Sequence, residues 1–505
     1  MEIKFKHLII IILFFIVVKV IFFYLTPAEW GDSYRFLKAG EYLSHFSYPL
    51  DEKRLPFFPL LLSLAFFLRM DALLWGRLLV LALSVLCLLL TYKLGKTILR
   101  DSNSSFKAVL ITAFSPVFFY WTGKVYAEVL FTFLILLSFF LFFVKDAKSK
   151  NFWLGVICGL AFMTRFEGFF LFFAILLGIF FGREVKGVLV IKKLLSYLLG
   201  FSIISVPYFL FRLFALGTVS SSYFLEPSEF AFNVRFILSF FASLVFLFGF
   251  IPFLDLSSLR KKFDKKNLYA IFPILIFASL ELLIAFIWQA AIPRLFVPIV
   301  PLLAIILVDH FTLHRGSFKS VISSLIFYAG MFAFFVIGRF YLRLPFLVSG
   351  KLVLVPVILS LAYVLFMLFR RKFYIYLLIF AGVFSSLSVA FFFKNVYRTI
   401  YQASVFSQNL DGKIAYSDET GVTGWYLQEG KGVFYDKDYS EDGEYEWLIE
   451  NGVSYIIDTN EHNEGSKLEV FKNALYKDKF EIVNKFKSNI GIADTKTSIY
   501  RFKKQ

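Results

Sequence analysis

The chain has 505 residues, 59% of them hydrophobic and only 18% charged, and its mean hydropathy is +0.73. Soluble domains are about half apolar, so the composition excludes a soluble globular protein and indicates a polytopic membrane protein. The formal charge of +17 does not indicate a nucleic-acid partner: from Lys394 onward 15 Lys/Arg face 18 Asp/Glu, and upstream 38 basic face 18 acidic residues, so the excess sits where membrane topology accounts for it.

Taken in chain order, "MEIKFKHLIIIILFFIVVKVIFFYL" is too long and too uniformly apolar for a signal-peptide core and reads as an uncleaved first span. "EWGDSYRFLKAGEYL" (Glu29–Leu43) follows it. Asp32 there reads first as a helix N-cap, worth about 1 kcal/mol. "RLPFFPLLLSLAFFL" (Arg54–Leu68) is apolar but short and carries Pro56 and Pro59, which suits an interfacial or re-entrant helix. Span-length apolar runs fall at roughly 8–25, 73–92, 108–123, 128–144, 151–164, 168–182, 194–214, 236–254, 268–288, 295–310, 320–338, 346–369 and 373–393, about thirteen in all. Basic clusters before the first span and at 93–107, 145–150, 183–193, 260–266, 315–319 and 370–372 fill every second loop. By the positive-inside bias those loops and the N-terminus are cytoplasmic, which puts the Asp32 loop and the tail on the extracytoplasmic side.

Acids and unexpected cations gather at the outer span ends. Glu128 stands at the mouth of the fourth run just past Lys124; Arg165 and Glu167 occupy the outer turn of "GLAFMTRFEGFFLFF"; Glu281 lies within a run; Arg294 precedes the Pro-rich run at 295–310. Arg77, Arg212, Arg339 and Arg343 also oppose the topological bias. Each acid has a plain reading as a cap, a solvated carboxylate or a turn-closing pair. Together, carboxylates that can deprotonate a hydroxyl or hold a divalent cation, and arginines whose forks suit phosphate oxygens, point to group transfer from a phosphate-linked donor. A transporter of lipid-linked sugars, the alternative, would share the outer cations but need a polar transmembrane path, for which Lys19 and Glu281 are the only obvious mid-span charges; a glycan polymerase or ligase is a third reading. No zinc, Walker or nucleophile-elbow pattern occurs.

The last hundred-odd residues change character. "KIAYSD", "VSYIIDT", "FEIVNKFK" and "SIYRF" read as strands, and "EDGEYEWLIENG" and "EGSKLEVFKNALY" as helices, the first ended by Gly452. The expected organisation is a membrane domain over residues 1–393 and a small extracytoplasmic α/β domain over 394–505.

"GDSYRFLKAGEYL", "RLPFFPLLLSLAFFL" with "LLWGRLLVLALSVLCLLLTYKLGKTIL", "SPVFFYWTGKVYAEVLFTFLILLSFFLF", "GLAFMTRFEGFFLF" and "PRLFVPIVPLLAII" resemble, in order and spacing, the GT-C superfamily of polytopic glycosyltransferases. The likeness covers roughly residues 1–310 and is nearest the protein-mannosyltransferase and aminoarabinose-transferase-like branch. It implies a mainly α, GT-C-like helix bundle that transfers a sugar, with inversion, from a polyprenyl-phosphate donor to a hydroxyl of a lipid, glycan or protein acceptor. It maps the family's general base onto Asp32 and its second acid onto Glu128, a Glu where relatives often have Asp. It maps a lipid-phosphate contact onto Arg294. The reading of the residues themselves adds Arg165 and Lys124 as further phosphate ligands, with Glu167, Arg77 and Glu281 in support. It leaves open whether a divalent cation joins Asp32 and Glu128. The oligosaccharyltransferase WWDYG-type motif is absent.

Overall fold

The computed structural model describes residues 5–48, 54–144, 149–181, 187–216, 265–287, 293–308, 374–418, 420–427, 430–435, 441–461, 468, 470, 475–490 and 493–503. The long apolar runs become helices: α1 (Phe5–Leu25), α4 (Ala72–Leu99) and α10 (Val188–Leu216) contain the three described helices long and apolar enough to cross a membrane. Twenty-one residues rise about 31 Å, which matches the ~30 Å hydrocarbon core. The chain is an integral membrane protein. The expected thirteen crossings are not reached among the described residues, and the runs at 236–254, 320–338 and 346–369 lie outside them, as do Arg339 and Arg343.

Other apolar runs give shorter helices. α3 (Phe57–Phe67) has 11 residues, enough for about half the core. The run at 108–123 is not one helix but two, α5 (Ser102–Ala113) and α6 (Pro116–Trp121). The break has a local cause: Pro116 disfavours helical geometry at Ser115, which sits extended at φ −65°, ψ 125°. α7 (Ala127–Phe143), α8 (Lys150–Phe162) and α9 (Gly168–Phe180) follow, then α11 (Lys265–Ile287), a 3-10 turn at Pro293–Phe296, α12 (Val300–Leu307) and α13 (Tyr374–Phe392).

Two compact units result, one of residues 1–19 and 42–389, the other of residues 20–41 and 390–505. In the first, α4 packs on α5 and α7, and α8 runs along α10 at glycine distance. Lys19, fully buried in α1, donates to the Phe119 carbonyl and to Thr122 Oγ1 (3.0 Å) and lies over the Phe15 and Phe119 rings. The mid-span charge is thus spent on fastening α1 to the end of α6.

In the second unit, α2 (Gly31–Ser44, its last three residues counted with the first unit) joins α14 (Arg398–Ser407), the short α15 (Val422–Tyr426) and a five-stranded sheet. The strands are β1 (Lys413–Tyr416), β2 (Gly432–Phe434), β3 (Val453–Thr459), β4 (Phe480–Ile490) and β5 (Ala493–Phe502), in the order β2-β1-β3-β5-β4. β1 is parallel to β2 and β3, and the remaining pairs are antiparallel. β3 is central and buries residues on both faces: Ile456 joins Leu448 of α16 (Glu441–Glu450), Tyr435 and Phe502, while Tyr455 and Ile457 join Ala403 of α14, Ile414 and Ile499. Gly452, at φ +67°, follows α16 where the sequence placed its end. The expected helix at 464–476 lies largely outside the described residues.

Candidate functional site

In the first unit, five of the expected residues come together. Tyr126, extended at φ −132°, ψ 152°, turns the chain into α7 and leaves Glu128 in its first turn, 2% exposed. A helix start favours a negative charge. The α8–α9 turn is made tight by Gly168, where a Cβ would lie 2.3 Å from Phe162 N, so only glycine fits. That turn carries Arg165 and Glu167. Arg165 grips Glu167 through Nε (3.3 Å) and Nη2, and reaches Glu128 Oε1 with Nη1 at 2.6 Å. The same Oε1 lies 3.4 Å from Nε of Arg294, on the 3-10 turn, whose guanidinium stands 4.8 Å over the Tyr126 ring. Glu281, from α11, is 2% exposed and close enough to interact electrostatically with Arg165, Glu167 and Glu128.

The two arginines are engaged differently. Arg165 spends three donor groups on two carboxylates and acts as a strut. Arg294 lies 3.4 Å from Glu128 Oε1 through Nε, stacks on Tyr126 and keeps 22% of its side chain exposed, which suits a guanidinium that receives an anion. Lys124 is buried, 5.8 Å from the Tyr120 ring centroid and within electrostatic range of Lys19. Arg77 is half-buried on α4, and Arg212 is buried beside Tyr208 of α10.

Asp32 belongs to the second unit. α2 begins at Gly31, two residues earlier than the N-cap reading requires, so Asp32 lies in its first turn, half-buried. The residues around it are clamped by the C-terminal segment. Trp30 packs edge-on against Tyr397 and tilts against Phe393, and Tyr34 meets Trp425 and Tyr426. A Cβ on Gly31 would lie 2.5 Å from the Thr420 carbonyl. The Thr420 loop is braced by Asp418, whose oxygens accept from Thr420 Oγ1 (2.7 Å) and Thr423 Oγ1. Glu461 accepts from Thr399 Oγ1 at 2.5 Å at the start of α14. Asp32, Asp418 and Glu461 all act on buried Tyr397, whose hydroxyl is pushed up, chiefly by burial. Sequence reading missed this frame; its one visible trace is the glycine and threonine pattern of "ETGVTGW". Among the described residues, no group of three or more His, Cys, Asp or Glu is arranged to hold a metal ion.

Comparison with known proteins bears out the resemblance read from the sequence. Residues 53–210 match the family model described as dolichyl-phosphate-mannose-protein mannosyltransferase. No curated protein matches the chain in sequence. In structure the chain is similar to ArnT from Cupriavidus metallidurans bound to undecaprenyl phosphate, with TM-score 0.63 at 13% identity over 97% of each chain. The apo form of that protein gives 0.64 at the same identity and coverage. The arabinofuranosyltransferase AftD from Mycobacteria matches at TM-score 0.52 and 13% identity, over 100% of this chain and 40% of that one. The fold is that of the GT-C glycosyltransferases.

Proposed function

We propose that the chain is a membrane glycosyltransferase that moves a sugar from a polyprenyl-phosphate donor to an acceptor hydroxyl on the extracytoplasmic face. One observation carries the reading: a buried carboxylate, Glu128, tethers two arginines at a helix start in a fold shared end to end with a protein that binds undecaprenyl phosphate. Arg294 is the lipid-phosphate ligand, and Arg165, locked by Glu128 and Glu167, holds Glu128 in place. Asp32 is the general base. It takes the acceptor proton as the hydroxyl oxygen attacks the anomeric carbon from the side opposite the phosphate. The bond from that carbon to the phosphate oxygen breaks, the configuration inverts, and the charge left on the lipid phosphate falls to the guanidinium.

The test uses purified full-length protein in lipid nanodiscs with undecaprenyl-phosphate-linked sugars and a glycan or lipid acceptor. Asp32→Asn is expected to lower turnover by roughly 10²-fold or more while undecaprenyl phosphate still binds. Arg294→Ala is expected to weaken that binding. Full transfer by Asp32→Asn removes the base assignment, and movement of labelled lipid-sugar across the bilayer without any covalent product replaces the enzyme reading with a transporter. Repeating the assay with a chelator reads metal dependence directly.

A further inference from the structure

The cluster of the first unit holds more carboxyl than guanidinium. Among the described residues, Glu128, Glu167 and Glu281 face Arg165 and Arg294. Glu167 and Oε1 of Glu128 are taken up by these arginines. Two oxygens are not: Glu128 Oε2 and Glu281 Oε2 are buried with no hydrogen-bond partner. Both side chains are 2% exposed. Carboxylates without donors are costly inside a membrane protein, and those that persist there face an interior pathway or a ligand. The cluster has an open side, since the side chains of Arg294, Arg165 and Glu167 keep 22%, 16% and 11% of their surface.

We propose that Glu128 Oε2 and Glu281 Oε2 form a sugar subsite, accepting hydrogen bonds from hydroxyls of the sugar carried on the lipid phosphate. The chemistry selects this ligand. Phosphate goes to the guanidinium of Arg294, whereas a polyol supplies O–H donors to the two buried carboxyl oxygens without adding charge. The donor then lies across a polarised site, its phosphate at the guanidinium end and its hydroxyls at the carboxyl end. Such a site rejects an analogue lacking one hydroxyl strongly, because a buried acceptor is again left empty. This inference rests on the glycosyltransferase reading and adds Glu281 to it as a specificity residue.

The experiment measures binding of two kinds of probe to the full chain in nanodiscs: undecaprenyl phosphate alone, and undecaprenyl-phosphate-linked mannose, glucose and arabinose with their monodeoxy analogues. In the wild type at least one sugar-bearing lipid is expected to bind more tightly than the bare lipid phosphate. Glu281→Gln is expected to leave the bare lipid within two-fold and to weaken the preferred sugar-lipid ten-fold or more, with a smaller penalty for one deoxy analogue. Glu281→Asp, which keeps the carboxyl group but withdraws its oxygens by one methylene, is expected to give the same selective loss and serves if the amide variant does not fold. Equal weakening of both probes overturns the proposal, since Glu281 then acts through the arginines. So does an unchanged preference for the sugar-bearing lipid. A wild type that binds none of the lipids removes the glycosyltransferase reading itself, a different result from a wild type whose discrimination survives the substitution.

Discussion

Two acids of the second unit hold their protons unusually far up the pH scale. Burial pushes Glu461 up to about 7 and Asp418 up to about 6, against the opposing pull of their threonine hydrogen bonds. An acid with a raised folded-state pKa binds more protons folded than unfolded between the two values, so stability is greatest below the unfolded pKa of about 4 and is lost as pH rises through the folded value. Thermal melting of the full chain should therefore fall between pH 5 and 8. Glu461→Gln, which cannot ionise, should flatten much of that slope, by an amount up to a few kcal/mol; a variant with an unchanged slope would assign the dependence elsewhere. At this scale the legible residues are those whose charge conflicts with their neighbourhood. Arg165, Glu167, Glu281 and Arg294 stand out in an apolar sequence, and the structure brings them together. Asp418 and Glu461 look ordinary in a polar tail. Their burial comes from partners such as Thr399, 62 residues away in sequence, which no local pattern shows.

Between elements, the tightest packing is that of α8 on α10. A Cβ on Gly155 would lie 2.1 Å from the Tyr197 carbonyl, one on Gly159 2.8 Å from Ile204 Cβ, and one on Gly200 2.1 Å from the Phe152 carbonyl. Apolar helices in lipid gain little from burial against each other, so close backbone approach through small residues is what holds them. Gly155→Leu must push the helices apart and should cost about 1–3 kcal/mol, read as a lower melting temperature of the nanodisc protein; an unchanged melting curve would contradict this packing. Four of the five tail strands and the helix stop at Gly452 were legible because a short β-rich run and a positive-φ glycine are local properties, whereas the three-residue β2 was not read. The break before Pro116 was equally local, yet it was hidden inside a continuous apolar run, where hydropathy outweighs backbone geometry. That residues 20–41 group with 390–505 could not be read at all, because nothing in either composition marks so distant a partnership.

For the whole molecule, the fold is matched over 97% of its length by a protein 13% identical to it, so architecture outlasts sequence here, and the orientation in the membrane has to be argued from charge. The basic clusters between the apolar runs orient the chain only if they remain on the cytoplasmic side. The tail, with 15 basic and 18 acidic residues from Lys394 onward, imposes no orientation of its own. The proposed arrangement is therefore testable at two exposed positions. Cys87 and Cys158 are both fully buried and give little background to a thiol reagent. Lys96 and Asn409 are exposed. A membrane-impermeant maleimide applied to intact cells should label Asn409→Cys at once and Lys96→Cys only after the membrane is opened. The reverse pattern would place the tail in the cytoplasm and move the proposed acceptor to that side. Equal labelling of both positions in intact cells would mean that the basic clusters do not set the topology.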